Sequence, residues 1–324
     1  SMVFAGRFVP MARRGRALAM IASASSLGFG LGPVVGGVIT DYLSWNYLFL
    51  ITLCVLGMIP VLYRFLPDET TRKGYFDVWG GLLTGVGITF FLLFISTFHW
   101  YYFAGAVVFF GGLWIRIHKI ELPFIQPSLI RDKGYRQILY MSFLGFATHF
   151  AILIVMPLML QHVFGKNPTA VGFIIFPGAM LSAVAAIYVG RLIDQYGNMR
   201  VMFLAHILLI ISTVIFYIFS PNSEYMIMLA YMFTSFGFSS LSSSTTNEVS
   251  RVMSKELIAS GIGMKQLTHF VGSASGSVLG GIIVEMGGAE FPVDSFQNTF
   301  LVLIVLMTLS LFLLFLYRQR INDQ

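Results

Sequence analysis

Apolar stretches of about twenty residues recur along this chain, separated by short polar and basic connections. A helix of that length reaches across the roughly 30 Å hydrocarbon core of a bilayer. The pattern predicts ten helices, at about 17–41, 45–63, 78–98, 100–116, 137–161, 169–190, 201–219, 225–247, 257–285 and 297–317. Isolated strands are excluded, because each unpaired backbone group in lipid costs several kcal/mol. The stretches are also too long and too uniformly apolar for the alternating pattern of a barrel. The expected fold is all-α, a polytopic membrane helix bundle.

Composition strengthens this reading. Of 324 residues, 57% are hydrophobic and 10% charged, against roughly 25% charged in a soluble domain. The net charge of +6 raises the question of nucleic acid, but the basic residues lie in short loops between apolar runs, where they set membrane orientation. No nucleic-acid partner is expected. Cys54 sits inside an apolar run and reads as a small buried hydrophobe.

Orientation follows from placing Arg13, Arg14 and Arg16 in the cytosol and alternating sides. The cytosolic connections then collect Arg64, Arg72, Lys73, Arg116, Lys119, Arg131, Lys133, Arg136, Arg191, Arg200, Arg251, Lys255, Arg318 and Arg320. With Arg7 this makes 18 of the 20 basic residues; Lys166 falls outside and Lys265 within a span. Asp41, Glu224, Glu285, Glu290 and Asp294 gather externally, and the C-terminus is cytosolic.

The stretch "SSLGFGLGPVVGGVI" (25–39) carries five glycines and a proline. Gly28, Gly32 and Gly36 recur every four residues and share a helix face, Gly37 adjoins them, and Pro33 should bend the helix. The ninth predicted span repeats the spacing with Gly272, Gly276, Gly280 and Gly281. Small residues at this interval let helix backbones approach closely in lipid. Paired patterns in parallel helices are expected where two related halves rock about a central site. Taken singly, each helix reads equally well as a tight-packing element.

"GFGLGPVVGG" resembles the antiporter motif in the fifth helix of drug exporters of the major facilitator superfamily. "GRLIDQYGNMR" (190–200) resembles the second-half copy of that superfamily's cytosolic loop motif. In it Gly190 permits close packing, Asp194 can cap the next helix or pair with Arg191 or Arg200, and Gly197 supplies a turn. "YFDVWGGLL" (75–83), followed by two closely joined spans, resembles the extra central helix pair of fourteen-helix exporters. "FIIFPGAM" (173–180) and the region from Arg13 to Gly37 resemble the tetracycline exporters Tet(K) and Tet(L) and the related staphylococcal efflux proteins. The resemblance covers nearly the whole chain. It implies residues 1–66 as the end of an N-terminal helix bundle, 67–135 as the central pair with its loops, and 136–324 as a C-terminal six-helix bundle. It also implies four helices before residues 1–8, which would be partners from the same protein. Where the Tet(K)-like proteins have a glutamate beside the second motif glycine, this chain has Phe29, which weakens tetracycline as the substrate.

Ionisable groups within a bilayer cost about 2.5–3.5 kcal/mol at its centre and therefore mark candidate sites. His149 lies mid-span, either as a proton carrier or as a neutral histidine bonded to a neighbouring helix. Lys265 and His269 stand one turn apart with Gln266 beside them. Lys265 either snorkels to the interface or lines the cytosolic half of a cavity. "SSLSSSTTNE" (239–248) borders a wet vestibule or supplies interhelical hydrogen bonds; Glu248, ending it, is expected to be solvated. Asp77 is expected to help begin the third span.

No enzymatic, cofactor or metal-binding pattern is present in the sequence. The expectation is a proton-coupled exporter of amphipathic, cationic drugs in the bacterial plasma membrane, whose partners are the drug, protons and the lipid bilayer. A facilitator of a metabolite, sugar or lipid-like molecule is the alternative.

Overall fold

The computed structural model describes residues 24, 28, 31–65, 77–254, 257–288 and 291–322. Helix α1 covers 31–42. Short pieces follow: a 3-10 turn at Trp45–Tyr47, α2 (Leu48–Cys54), a second 3-10 turn at Val55–Gly57, and α3 (Met58–Phe65). Next come α4 (Val78–Thr97), α5 (Trp100–Lys119), the short α6 (Pro127–Arg131), α7 (Lys133–His162) and α8 (Pro168–Tyr196). The chain finishes with α9 (Asn198–Phe219), α10 (Glu224–Val252), α11 (Ile258–Glu285) and α12 (Val293–Asn322). Among the described residues, eight helices, α4, α5 and α7–α12, are long and apolar enough to cross a membrane.

These eight correspond one to one with the predicted spans from residue 78 onward. The predicted span at 45–63 does not form one continuous helix. Its break coincides with Gly57 and falls just before Pro60, which lacks an amide hydrogen and clashes with the carbonyl of the preceding turn. Only part of the predicted 17–41 helix falls within the described residues. Phe29, the "RRGR" segment, residues 66–76, Lys255 and Glu290 lie outside them.

Helices α7–α12 form the main body. α11 lies along α7, α10 packs between α9 and α8, and α12 contacts α9 and α7. The bundle has one end rich in arginine, where α8, α10 and α12 finish and α9 begins; we call it the basic end. Tyr135, Ile138, Met202, Val249 and Leu314 form an apolar cluster towards that end, and Met156, Met159, Phe216, Ile227 and Phe300 one towards the other. Between α9 and α12, His206 is buried and bonds the Met202 carbonyl through Nδ1 at 2.7 Å and the Ser310 hydroxyl through Nε2 at 2.8 Å. The connection from α8 to α9 is a single residue, Gly197, whose φ of +84° favours glycine.

Helices α4 and α5 pair with each other and lean on α11 through α4. Their outer faces expose Trp79, Trp100, Tyr101 and Trp114, as suits aromatic rings at a membrane boundary. Asp77 does begin α4: its carboxylate accepts from the Gly80 amide at 2.9 Å. It also accepts from Arg116 Nε of α5 at 2.8 Å and the Phe124 amide at 3.1 Å. Burial pushes this carboxyl up, and the Gly80 amide, the Arg116 guanidinium and the Phe124 amide together outweigh it and hold it below the ordinary carboxylate range.

Candidate functional site

Helices α7, α8, α10 and α11 surround a cavity of about 320 Å³. Two stacked ring pairs form part of its wall. The His149 ring of α7 lies on Phe238 of α10, centroids 3.8 Å apart and planes 8° apart. The His269 ring of α11 lies on Phe146 of α7 at 3.6 Å and 14°. Phe146 meets Phe238 nearly edge-on at 4.7 Å, so four rings from three helices make one continuous aromatic surface. Helical spacing explains the arrangement: Phe146 and His149 are three residues apart and share a face. His149 Nδ1 and His269 Nε2 are buried without a hydrogen-bond partner among the described residues. An unmet buried polar atom costs about 1–3 kcal/mol, and here two such atoms belong to rings of the cavity wall.

The rest of the lining is polar on one side, with Gln266 of α11 and Ser239, Ser242 and Ser243 of α10. The hydroxyl run of α10 therefore has two uses. Ser244 and Thr245 turn inward and bond carbonyls of their own helix, at Ser240 and Leu241, while Ser239, Ser242 and Ser243 face the cavity. Lys265 does not snorkel. Its ammonium donates to Thr246 Oγ1 at 2.7 Å and to the Ser242 carbonyl at 3.4 Å, and only 1% of the residue is exposed. The oxygen-rich face of α10 supplies what the water interface would otherwise provide. The charge sits behind the serine wall rather than in the lining.

Glu248 is likewise not solvated. It is 1% exposed, one turn inside the basic end of α10. Its Oε1 accepts from Tyr317 Oη at 2.6 Å and Arg251 Nη2 at 2.8 Å, and its Oε2 from Asn198 Nδ2 at 2.5 Å. Asn198 also donates to the Ser244 carbonyl at 3.0 Å. A buried carboxylate is tolerable only with such a complement of donors. The network joins α9, α10 and α12.

Asn198 gives the loop stretch a role that its other residues do not have. Asp194 is exposed and forms no ion pair with Arg191 or Arg200 among the described residues, and the side chain at the start of α9 makes no cap because that position is Gly197. Arg191 instead lies over the Tyr188 ring at 5.5 Å. Gly190 has open space around it. The expected Asp194 pairing fails because α8 extends through Tyr196, carrying Asp194 on an exposed face of the helix.

The two glycine series differ in surroundings. A Cβ on Gly272 would stand 2.7 Å from the Phe143 carbonyl oxygen, one on Gly276 would collide with the Ala147 carbonyl, and one on Gly280 would be 3.0 Å from Val155. All three neighbours belong to α7. Gly281 is open. In α1, Gly37 presses on the Pro168 carbonyl at the start of α8, and Gly172 of α8 presses on Pro33 and Val34, at 2.7 and 2.8 Å for a Cβ. Asp41 accepts from the Thr169 amide at 2.9 Å across the same contact. Among the described residues, a Cβ on Gly28 or Gly32 meets no atom within 4 Å, and one on Gly36 only Leu48 at 3.9 Å.

Among the described residues, membrane-length helices pack around an inner cavity with aromatic and hydroxyl walls. The chain matches the Major Facilitator Superfamily over residues 1–264 and again over 138–323, and it belongs to that family. It is 25% identical over 259 residues to multidrug resistance protein 3 of Bacillus subtilis, covering 74% of this chain and 50% of that protein. It is 23% identical over 301 residues to the putative multidrug resistance protein MdtD of an Enterobacter species, covering 88% and 63%. To the riboflavin transporter RibZ of Clostridioides difficile it is 24% identical over 253 residues, covering 74% and 54%. The chain thus spans about half to two thirds of the length of these relatives.

Proposed function

We propose that this chain is part of a proton-coupled exporter of amphipathic, cationic drugs that works by alternating access in a bacterial plasma membrane. The observation that carries this reading is the cavity walled by the His149–Phe238 and His269–Phe146 pairs. Stacked faces of Phe238, Phe146 and Tyr231 suit a flat apolar cation, which aromatic rings attract by roughly 0.5–2 kcal/mol each when desolvated. The serines and Gln266 supply hydrogen bonds that orient it. The relatives named as multidrug resistance proteins support the same reading.

Coupling to protons has a physical route through α11. A proton on His269 or Lys265 and a cation in the cavity repel each other, so binding of one disfavours the other by the same free energy. His149, in the same aromatic surface, adds a second ring that can take a proton. The gathering of Arg200, Arg251 and Arg318 at one end supports a cytosolic orientation for that end and for the C-terminus. Residues 1–66, 67–135 and 136–324 are proposed as the end of a first bundle, a central pair and a second bundle.

Efflux of a fluorescent lipophilic cation from energised vesicles tests the reading. Transport that collapses when the proton gradient is dissipated supports it, and gradient-independent flux overturns it. One observation favours a second reading, facilitated movement of an uncharged aromatic metabolite: among the described residues, no carboxylate lines the cavity. Competition between lipophilic cations and neutral heterocycles separates the two.

A further inference from the structure

A second cavity, of about 500 Å³, opens on the outer side of α9 and α12 at the basic end. Its charged rim comes from three helix ends: Arg200 from the start of α9, Arg251 from the end of α10 and Arg318 from the end of α12. Its apolar wall includes Phe203 and Phe315, whose rings meet edge-on at 5.8 Å and are 41% and 43% exposed. Arg251 is engaged by Glu248 at 2.8 Å. Arg200 and Arg318 are exposed and have no acidic partner among the described residues.

We infer that this groove is a binding site for a phospholipid with an anionic headgroup. The helices span the membrane, so their arginine-bearing ends lie at the headgroup level and the Phe203–Phe315 wall lies just inside the acyl region. The phosphate sits between Arg200 and Arg318, whose planar guanidinium groups form paired hydrogen bonds to phosphate oxygens. One acyl chain lies along the two phenyl rings. Orientation alone explains basic residues at this end but does not require three helices to converge their arginines over an aromatic wall. A free anion would use the guanidinium groups and leave the apolar wall without a role. The combination of charge and exposed rings in one groove selects a lipid.

Native mass spectrometry of the purified protein, titrated with phosphatidylglycerol or phosphatidylcholine, tests this. Phosphatidylglycerol is expected to remain bound where phosphatidylcholine dissociates. Arg200→Gln or Arg318→Gln should weaken retention about fivefold each, and the double variant about thirtyfold. Lys119→Gln with Lys133→Gln, which removes the same charge from exposed positions at that end, should leave retention unchanged. Inorganic phosphate at millimolar concentration should not displace the lipid. Equal retention of the two lipids, equal losses in both double variants, or displacement by phosphate would overturn the assignment. The comparison of lipids on the unmodified protein decides the question even if a variant folds poorly.

Discussion

The glycine helices α1 and α11 carry the same spacing and use it differently. In α11, Gly272, Gly276 and Gly280 each face α7, and the contact runs along much of both helices. In α1, the close approach among the described residues is at Gly37 and Pro33, which meet the first turns of α8, while Gly32, and Gly28 before it, meet none of them within 4 Å. A small residue every fourth position records that a backbone can come near. It does not name the neighbour. The α11 seam lies inside the α7–α12 body and fixes the wall that presents His269; the α1 contact joins that body to the preceding helix.

Gly276→Val should show the contrast most strongly, since the added carbon meets the Ala147 carbonyl. A loss of about 3 kcal/mol or a failure to accumulate in the membrane is expected, measured by thermal unfolding in detergent. Gly37→Ala should cost less, about 1–2 kcal/mol, because it disturbs a single turn at Pro168; if it matched Gly276→Val, the two contacts would be equivalent and the comparison would fail. Lys265→Met, on the same helix as the seam, should leave stability within about 1 kcal/mol and remove much of the proton dependence of efflux. An unaltered pH profile of transport in that variant would exclude Lys265 from coupling. Gly32→Leu should leave unfolding unchanged yet slow transport, as expected if α1 approaches another helix during the cycle; full transport would remove α1 from the moving seam. Gly281→Ala, at an open position, should change stability by less than about 0.5 kcal/mol.

Much of the fold was legible in the sequence, because hydrophobic length sets where a helix enters and leaves lipid. Helices α4, α5 and α7–α12 begin and end within a few residues of the apolar runs that predict them, except where polar residues continue a helix. α10 runs on to Val252 because Glu248 is buried against Asn198 and Tyr317, which stand 50 and 69 residues away in sequence. No local pattern announces such partners. The same limit hid the stacking of His149 on Phe238 and His269 on Phe146: the histidines were visible as rare intramembrane groups, whereas their phenyl neighbours were two of many apolar positions until the helices packed. Lys265 turned inward for a reason that was in the sequence, the hydroxyls of α10, but its distance from them was not. Asp194 shows the converse. A recognisable loop stretch suggested an ion pair, and the uninterrupted helix through Tyr196 leaves the carboxylate facing outward.

Asp77 has a mechanical consequence. One carboxylate ties a helix start, the guanidinium of the following helix and the backbone of the next connection into a single knot, and Gly80 leaves the space that the knot fills. The hairpin of α4 and α5 is thereby fastened like a pair of tongs riveted near the handles. Its rivet lies at the basic end, and its arms extend from there to the turn at Phe98.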